Sequence, residues 1–321
     1  MTKLYAGIDL GGTTIGGVLA DDQGNIVQEA SIDTQSHAGP PAVLERIVGL
    51  IEQLTAAAGT RPQAVGIGCP GLVDVARGVT RFFPNLPTQW RDVPVAEVLG
   101  RNLGCPVSLL NDVRTATLGE LVFGHGRNVQ TMAFFSLGTG IGGGLVIDGK
   151  LRLGPLGAAG ELGHQTIVPD GPLCGCGNRG CLEALASGPA IAAEGVRLML
   201  AGQAPQLFEI VAGNAALVTP RTIAEAAAVG DPGAREAIGR AAEYLGIGAA
   251  NVVTCLHPQL IVLGGGIAEL GDLLLVPVRR VISQRVGMFP PDDVRVERSL
   301  LGSAAGSLGA VALAIRGHQN L

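Results

Sequence analysis

Four residues within eighteen positions carry soft metal-ligand chemistry: His164, Cys174, Cys176 and Cys181. One imidazole and three thiols make the ligand set of a closed, tetrahedral structural Zn²⁺ site, with no open position at which to activate water. Gly175, Gly177 and Gly180 stand among them, which is not how ordinary core cysteines are set. A disulfide framework is disfavoured because Cys174 and Cys176 are too close for easy pairing, and a redox switch would not need the histidine. Three glycine turns form a second set: Asp9-Leu10-Gly11-Gly12-Thr13-Thr14, Gly138-Thr139-Gly140 and Gly264-Gly265-Gly266. Such turns aim backbone N–H groups at an anion. The Asp9 carboxylate would repel a phosphate unless a cation sat between them, so acid plus glycine–threonine turns point to a Mg²⁺-nucleotide. Any one of the three also reads as a plain tight turn.

Two familiar phosphate motifs fail on inspection. Gly144 to Lys150 has the spacing of a Walker A loop, but Leu151 supplies no hydroxyl for magnesium. Gly138, Gly140 and Gly143 match the dinucleotide fingerprint, which requires a helix directly afterwards, whereas here a strand hairpin is expected.

The elements that must hold these residues can be read from periodicity. Residues 3–9 are a strand ending at the first glycine turn, and 18–20 a second strand closed by Asp21-Asp22-Gln23-Gly24. Leu44, Ile47, Val48, Ile51 and Leu54 mark one face of an amphipathic helix over 41–58, ended by Gly59. Val65–Cys69 is a strand, 93–103 a helix, 107–110 a strand that delivers Asn111 and Asp112, and 115–123 a helix. The alternation restarts with a strand at Met132–Leu137 and a hairpin around Asp148-Gly149. Residues 189–250 are mostly helical; 260–263 and 294–297 are strands, and 303–315 is the last helix, in which Gly302 and Gly306 are spaced for close packing. Interleaved strands and helices define the α/β class. A strand running into a Gly-Thr loop occurs at 8–13 and again at 136–140, so two domains of related design are expected.

Composition sets the outer limits. A chain of 321 residues, 47% hydrophobic and 15% charged, is globular and long enough for about two domains. The net charge of −5 and the 3% of aromatic residues leave no basic footprint and no stacking platform, which argues against nucleic acid as a partner. The uncharged stretches at 132–147 and 299–315 are too short and too rich in glycine and alanine for a membrane span. No secretory signal is visible, and the isolated Cys69, Cys105 and Cys255 read as small core residues, so a cytoplasmic protein is expected.

Asp9-Leu-Gly-Gly-Thr, Asn111-Asp112, Gly138-Thr139-Gly140 and the run from Glu161 through His164, Cys174, Cys176 and Cys181 to Glu183 together resemble the ROK family. That family comprises bacterial sugar kinases and related repressors, and the likeness extends from Gly7 to Ser307, nearest to the glucokinases. The resemblance implies a two-domain sugar kinase/actin-like (ribonuclease H-like) fold with an active-site cleft between the domains. The N-terminal domain would comprise 1–112 with about 301–321, and the C-terminal domain 113–300, carrying the zinc loop at 160–184. It implies transfer of phosphate from ATP to the 6-hydroxyl of glucose, with Asp112 as general base and Asn111 orienting the sugar. On local sequence alone, a cap for the following helix is the alternative reading of Asn111-Asp112, and both roles can coexist. Glu161, His164 and Glu183 would bind ring hydroxyls, with His164 also a zinc ligand; surface charge is the alternative for the two glutamates, weakened by their apolar neighbours Leu162, Leu182 and Leu185. Asp9 would hold the Mg²⁺ side. Gly11, Gly12, Thr13, Thr14, Gly138, Thr139 and Gly140 would hold phosphates, Gly264, Gly265 and Gly266 would lie near adenosine, and Asn85 and Trp90 would line the sugar cleft. Relatives often place a basic residue soon after the Gly-Gly-Thr; Ile15-Gly16-Gly17 has none. The resemblance also implies a homodimer or homotetramer. It leaves as rivals a kinase for N-acetylmannosamine, fructose or allose, a polyphosphate-using variant, and a sugar-sensing regulator without kinase activity.

Overall fold

A computed structural model describes residues 2–83, 86–87 and 90–321. They form two compact units. One runs from the N-terminus to Gln130 and includes Gly144–Gly160 and Leu300–Leu321; the other joins Thr131–Gly143 to Glu161–Ser299.

The first unit opens with β1 (Tyr5–Leu10), β2 (Thr14–Ala20) and β3 (Ile26–Asp33), paired antiparallel in succession. The next element, α1 (Gly39–Ala58), buries Leu44, Ile47, Ile51 and Leu54, the face that the apolar spacing marks, and Gly59 ends it in the left-handed conformation. Then come β4 (Val65–Cys69), the hairpin of β5 (Leu72–Asp74) with β6 (Val79–Phe82), α2 (Val95–Leu103), β7 (Val107–Asn111) and α3 (Asp112–Val122). The sheet order is β3-β2-β1-β4-β7, with β4 parallel to both β1 and β7. The carboxyl ends of β1, β4 and β7 therefore share one edge, with Asp9 opposite Gly68 and Cys69 opposite Asn111. Open α/β sheets bind ligands at that edge.

The second unit is built on β8 (Met132–Leu137) and β9 (Ile141–Ile147), and the division between units falls inside β9. The strand β10 (Lys150–Leu151), which falls in the first unit, follows a turn in which Asp148 and Gly149 have φ of 54° and 70°, the left-handed pair that suits a two-residue hairpin. Helices α4 (Leu182–Ala186), α5 (Gly188–Leu200), α6 (Pro205–Ile210), α7 (Pro220–Ala228) and α8 (Pro232–Leu256) lead to β11 (Leu260–Gly264), α9 (Asp272–Arg285) and β12 (Arg295–Arg298). The buried Asp231 caps α8 through the Ala234 N–H and also accepts from the N–H groups of Gln206 and Leu207 in α6. The sheet order is β10-β9-β8-β11-β12. Gly264 lies opposite Ser136, so the two glycine turns of this unit leave the sheet side by side.

The chain ends with α10 (Ala305–Arg316), which belongs to the first unit and lies directly on its sheet. A Cβ at Gly66 would stand 1.9 Å from the Ala310 carbonyl oxygen, so only glycine permits this approach. On its other side α10 meets α3, where a Cβ at Gly309 would be 1.9 Å from the Thr115 carbonyl oxygen. That packing places α3 in the first unit, and residues 144–160 join it, with Gly144 against Thr117 of α3, whereas the sequence reading began the second domain at 113. It also reassigns the expected glycine pair: Gly309 makes the close helix contact, Gly302 forms a left-handed turn, and Gly306 faces Asp9. β3, the β5–β6 hairpin and α9 are additions to the elements read from periodicity. No helix among the described residues is long and apolar enough to cross a membrane.

Candidate active site

In the first unit the carboxyl edge of the sheet gathers Asp9, Asn111 and Asp112. Asn111 is the N-cap of α3: its Oδ1 accepts from the N–H groups of Val113 at 3.1 Å and Arg114 at 3.2 Å. Arg114, buried at 2% exposure, donates to the same oxygen from Nη1 at 3.1 Å and to the Ala159 carbonyl from Nη2 at 3.0 Å. The Asn111 Nδ2 donates to the Gly71 carbonyl at 3.1 Å. Three donors on Oδ1 fix the amide in one orientation. Helix capping, one of the two sequence readings, is thus what the Asn111 side chain does here. Asp112 is the first residue of α3, where a carboxylate is favoured by the helix dipole, and its Oδ1 accepts the Val113 N–H at 2.8 Å.

Asp9 is raised from 3.8 to about 6, first by burial and second by the charge of Asp112. Two carboxylates close enough to oppose each other's ionisation, at an edge built for ligands, form a place that a divalent cation would relieve. Gly306 leaves room for the Asp9 carboxylate at the start of α10: a Cβ there would be 2.6 Å from its Oδ2. In the β1–β2 turn the Gly11 N–H donates to the Thr14 carbonyl at 2.9 Å and the Thr34 hydroxyl donates to the Gly11 carbonyl at 2.8 Å. Thr13 and Thr14 lie exposed at its tip.

 Trp90 is buried at 1% exposure and stacked on Phe83 with ring centroids 5.5 Å apart, so it is a core residue rather than a cleft wall. Asn85 lies outside the described residues.

In the second unit His164, Cys174, Cys176 and Cys181 converge, each with one ligand atom within 4.8 Å of the others. The Sγ atoms of Cys176 and Cys181 are 3.7 Å apart, and so are Cys174 Sγ and His164 Nδ1. A disulfide needs ~2.05 Å, so these sulfurs are not bonded. A tetrahedral ion with bonds of ~2.3 Å to sulfur and ~2.0 Å to nitrogen spaces its ligand atoms by ~3.5–3.8 Å, which is the spacing of these two pairs, and the remaining pairs lie within 4.8 Å. Burial pushes the Cys174 thiol up to about 12, a cost that a bound cation would reverse. Asn178 Nδ2 points at Cys181 Sγ from 3.6 Å, an outer partner for one ligand. Of the isolated cysteines, Cys69 is buried as expected, whereas Cys255 is exposed on α8.

Glu161 is exposed and precedes the short turn Leu162–His164. Glu183 is half-buried, and it does more than present a charge. Its Oε2 accepts the Ile141 N–H at 2.9 Å, and its Oε1 stands 3.7 Å from Cys174 Sγ. Gly138, Thr139 and Gly266 border an apolar cavity of about 660 Å³, walled further by Pro189, Pro220 and Ile267. Of the third glycine turn only Gly266 reaches this cavity. Gly264 faces inward onto the Phe134 ring, and Gly265 packs on the Leu137 carbonyl. Sequence reasoning passed over Arg114 and the buried Glu120, which accepts from the Leu301 and His125 N–H groups. Arg114 had one signal, its place three residues after a capping asparagine.

Residues 5–317 match the profile described as the ROK family. A glucokinase of Thermotoga maritima is 36% identical over 98% of each chain. The crystal structure of a ROK family glucokinase from Streptomyces griseus in complex with glucose and AMPPNP is 34% identical, with a TM-score of 0.84 over 98% of this chain and 100% of that one. A xylose repressor of Caldicellulosiruptor bescii is 33% identical over 96% of this chain and 77% of its own length. The α/β fold expected from the interleaved elements is therefore that of the ROK sugar kinases, and the glycine turns, the Asn111-Asp112 strand end and the Cys₃His cluster all sit on it: the chain belongs to the ROK family.

Proposed function

We propose that the protein is an ATP-dependent glucokinase that phosphorylates the 6-hydroxyl of glucose. The observation that carries the reading is the carboxyl edge of the first sheet, where Asp112 stands beside an amide locked by Arg114 and near a second carboxylate, Asp9. Phosphoryl transfer asks the protein mainly for positioning and charge neutralisation. Asp112 accepts the proton of the attacking hydroxyl, and Asn111 orients the sugar while capping α3. Asp9 faces the Mg²⁺ of the nucleotide; its raised ionisation suits a carboxylate that is at ease only beside a cation. Gly11, Gly12, Thr13, Thr14, Gly138, Thr139 and Gly140 approach the phosphates, and the apolar cavity at Gly266 takes the adenosine.

The Cys₃His cluster suits a structural Zn²⁺, which when bound holds a glycine-rich segment that has little core of its own. That segment presents Glu161, His164 and Glu183 to the ring hydroxyls. A zinc-bound Cys174 is a thiolate with no proton to give, which leaves Glu183 Oε1 to accept from a hydroxyl while Oε2 keeps the Ile141 N–H. The similarity to repressors supports a second reading, a sugar sensor without turnover. ADP release with Mg-ATP across a panel of hexoses separates the two. Glucose is expected to be strongly preferred. Turnover only with an acetamido sugar would replace the substrate, and none with any sugar, despite full zinc, would favour the sensor.

A further inference from the structure

The turn Gly138–Ile141 is gripped by the segment that carries the cysteine–histidine cluster. Glu183 comes two residues after Cys181, and its Oε2 accepts the Ile141 N–H at 2.9 Å. A Cβ at Gly140 would lie 2.5 Å from that same oxygen, so glycine at 140 is a condition of the contact. The other Glu183 oxygen stands 3.7 Å from Cys174 Sγ. From another side Gly163, next to His164, presses on the following peptide: a Cβ there would be 1.8 Å from the Ile141 carbonyl oxygen. Past α4 the Gly188 N–H donates to the Gly138 carbonyl at 2.8 Å, and the Gly138 N–H closes the turn on the Gly140 carbonyl at 2.9 Å. The two peptides that flank Ile141 are thus each set by a residue within two positions of a cluster ligand.

We propose that Glu183 is a positioning residue for the nucleotide: it ties the phosphate-facing turn to the cysteine–histidine segment, so that metal loading of that segment sets ADP affinity even when no sugar is present. The inference rests on the assignment of Gly138–Gly140 to phosphates made above. The physical chain is short. The cluster fixes Cys181 and His164; their neighbours Glu183 and Gly163 fix the two peptides that flank Ile141; and those peptides fix the direction of the turn. A charge-assisted hydrogen bond to a backbone N–H is among the stronger tethers available.

The test is calorimetric ADP binding to the full-length, zinc-loaded protein with no sugar, alongside zinc content and thermal melting. Glu183→Ala is expected to raise the ADP Kd about tenfold with zinc retained. Glu183→Gln keeps an acceptor for the Ile141 N–H and is expected to stay within about threefold of wild type for ADP, while raising the glucose KM. A merely structural defect would move both. Gly140→Ala pushes on the same oxygen from the other side and is expected to cost about tenfold alone and nothing further in the Glu183→Ala background. Removing zinc from the wild type by chelation is expected to weaken ADP at least as much as Glu183→Ala. Additive penalties in the double variant, or ADP affinity indifferent to Glu183→Ala or to chelation, overturn the tie while leaving glucose turnover and the kinase reading in place. A wild type that turns over no sugar and binds no ADP sinks both.

Discussion

Asp9→Asn should make the magnesium-free protein more stable as it destroys turnover. Asp9 is raised from 3.8 to about 6 by burial and by Asp112. An acid whose folded value is raised holds its proton more tightly in the folded state, so its contribution to stability is fullest below about 3.8 and is lost as pH rises through about 6. The interval corresponds to ~3 kcal/mol, and solvent at this partly buried edge reduces it to ~2 kcal/mol. Asparagine has the same shape and no charge. The variant should therefore melt about 4 °C or more above wild type at pH 8. By pH 5 the advantage should shrink to about half, since wild-type Asp9 is then largely protonated. The assay is thermal melting at both pH values in magnesium-free buffer, without a chelator that would strip zinc. Asp112→Asn should give a smaller gain of the same sign, because it removes only the second cause. An Asp9→Asn protein no more stable than wild type at pH 8, or an equal advantage at pH 5, would refute the reasoning.

Asp112→Asn, melted and assayed together, should keep its fold and zinc content but lose glucose-dependent ADP release by about 10²–10⁴-fold, the usual worth of a general base. Gly306→Ala should raise the KM for Mg-ATP, since its Cβ would stand 2.6 Å from Asp9 Oδ2; an unchanged KM would show that the carboxylate has room to move. Cys181→Ala should lose zinc by elemental analysis, with a lower melting temperature, because an uncompensated ligand set leaves the 171–180 segment unstapled. Gly66→Ala should destabilise by about 3 kcal/mol or more, read by denaturation, because its Cβ meets the α10 backbone and not a movable side chain.

Legibility followed the range of the interaction. The amphipathic face of α1, the strand ends at Asp9 and Asn111 and the Cys₃His spacing are local patterns, and each stands where the sequence placed it. The partners of those residues are not local. Glu183 and Ile141 are 42 positions apart, and Glu120 and Leu301 are 181 apart; no periodicity connects them. Glycine shows the difference most clearly. Gly140, Gly66 and Gly306 look alike in sequence, as members of a turn, a strand and a small-residue spacing. In the structure a different atom faces each: a Cβ would stand 2.5 Å from Glu183 Oε2 at Gly140, 1.9 Å from the Ala310 carbonyl oxygen at Gly66 and 2.6 Å from Asp9 Oδ2 at Gly306. The reading of Gly302 with Gly306 as a helix contact failed for the same reason, since spacing gives the face of a helix but not what lies opposite it. Trp90 failed the other way: a large side chain after Pro84 in a loop looked available to a ligand, but an aromatic partner at Phe83 takes it into the core. In a chain with 50 glycines the sequence does not separate those that meet a neighbour from those, such as Gly16, Gly49 and Gly239, that face open space. Naming what a glycine comes close to requires the fold, and here that knowledge turned a carboxylate expected only to meet sugar into one that also accepts the Ile141 N–H beside Gly140.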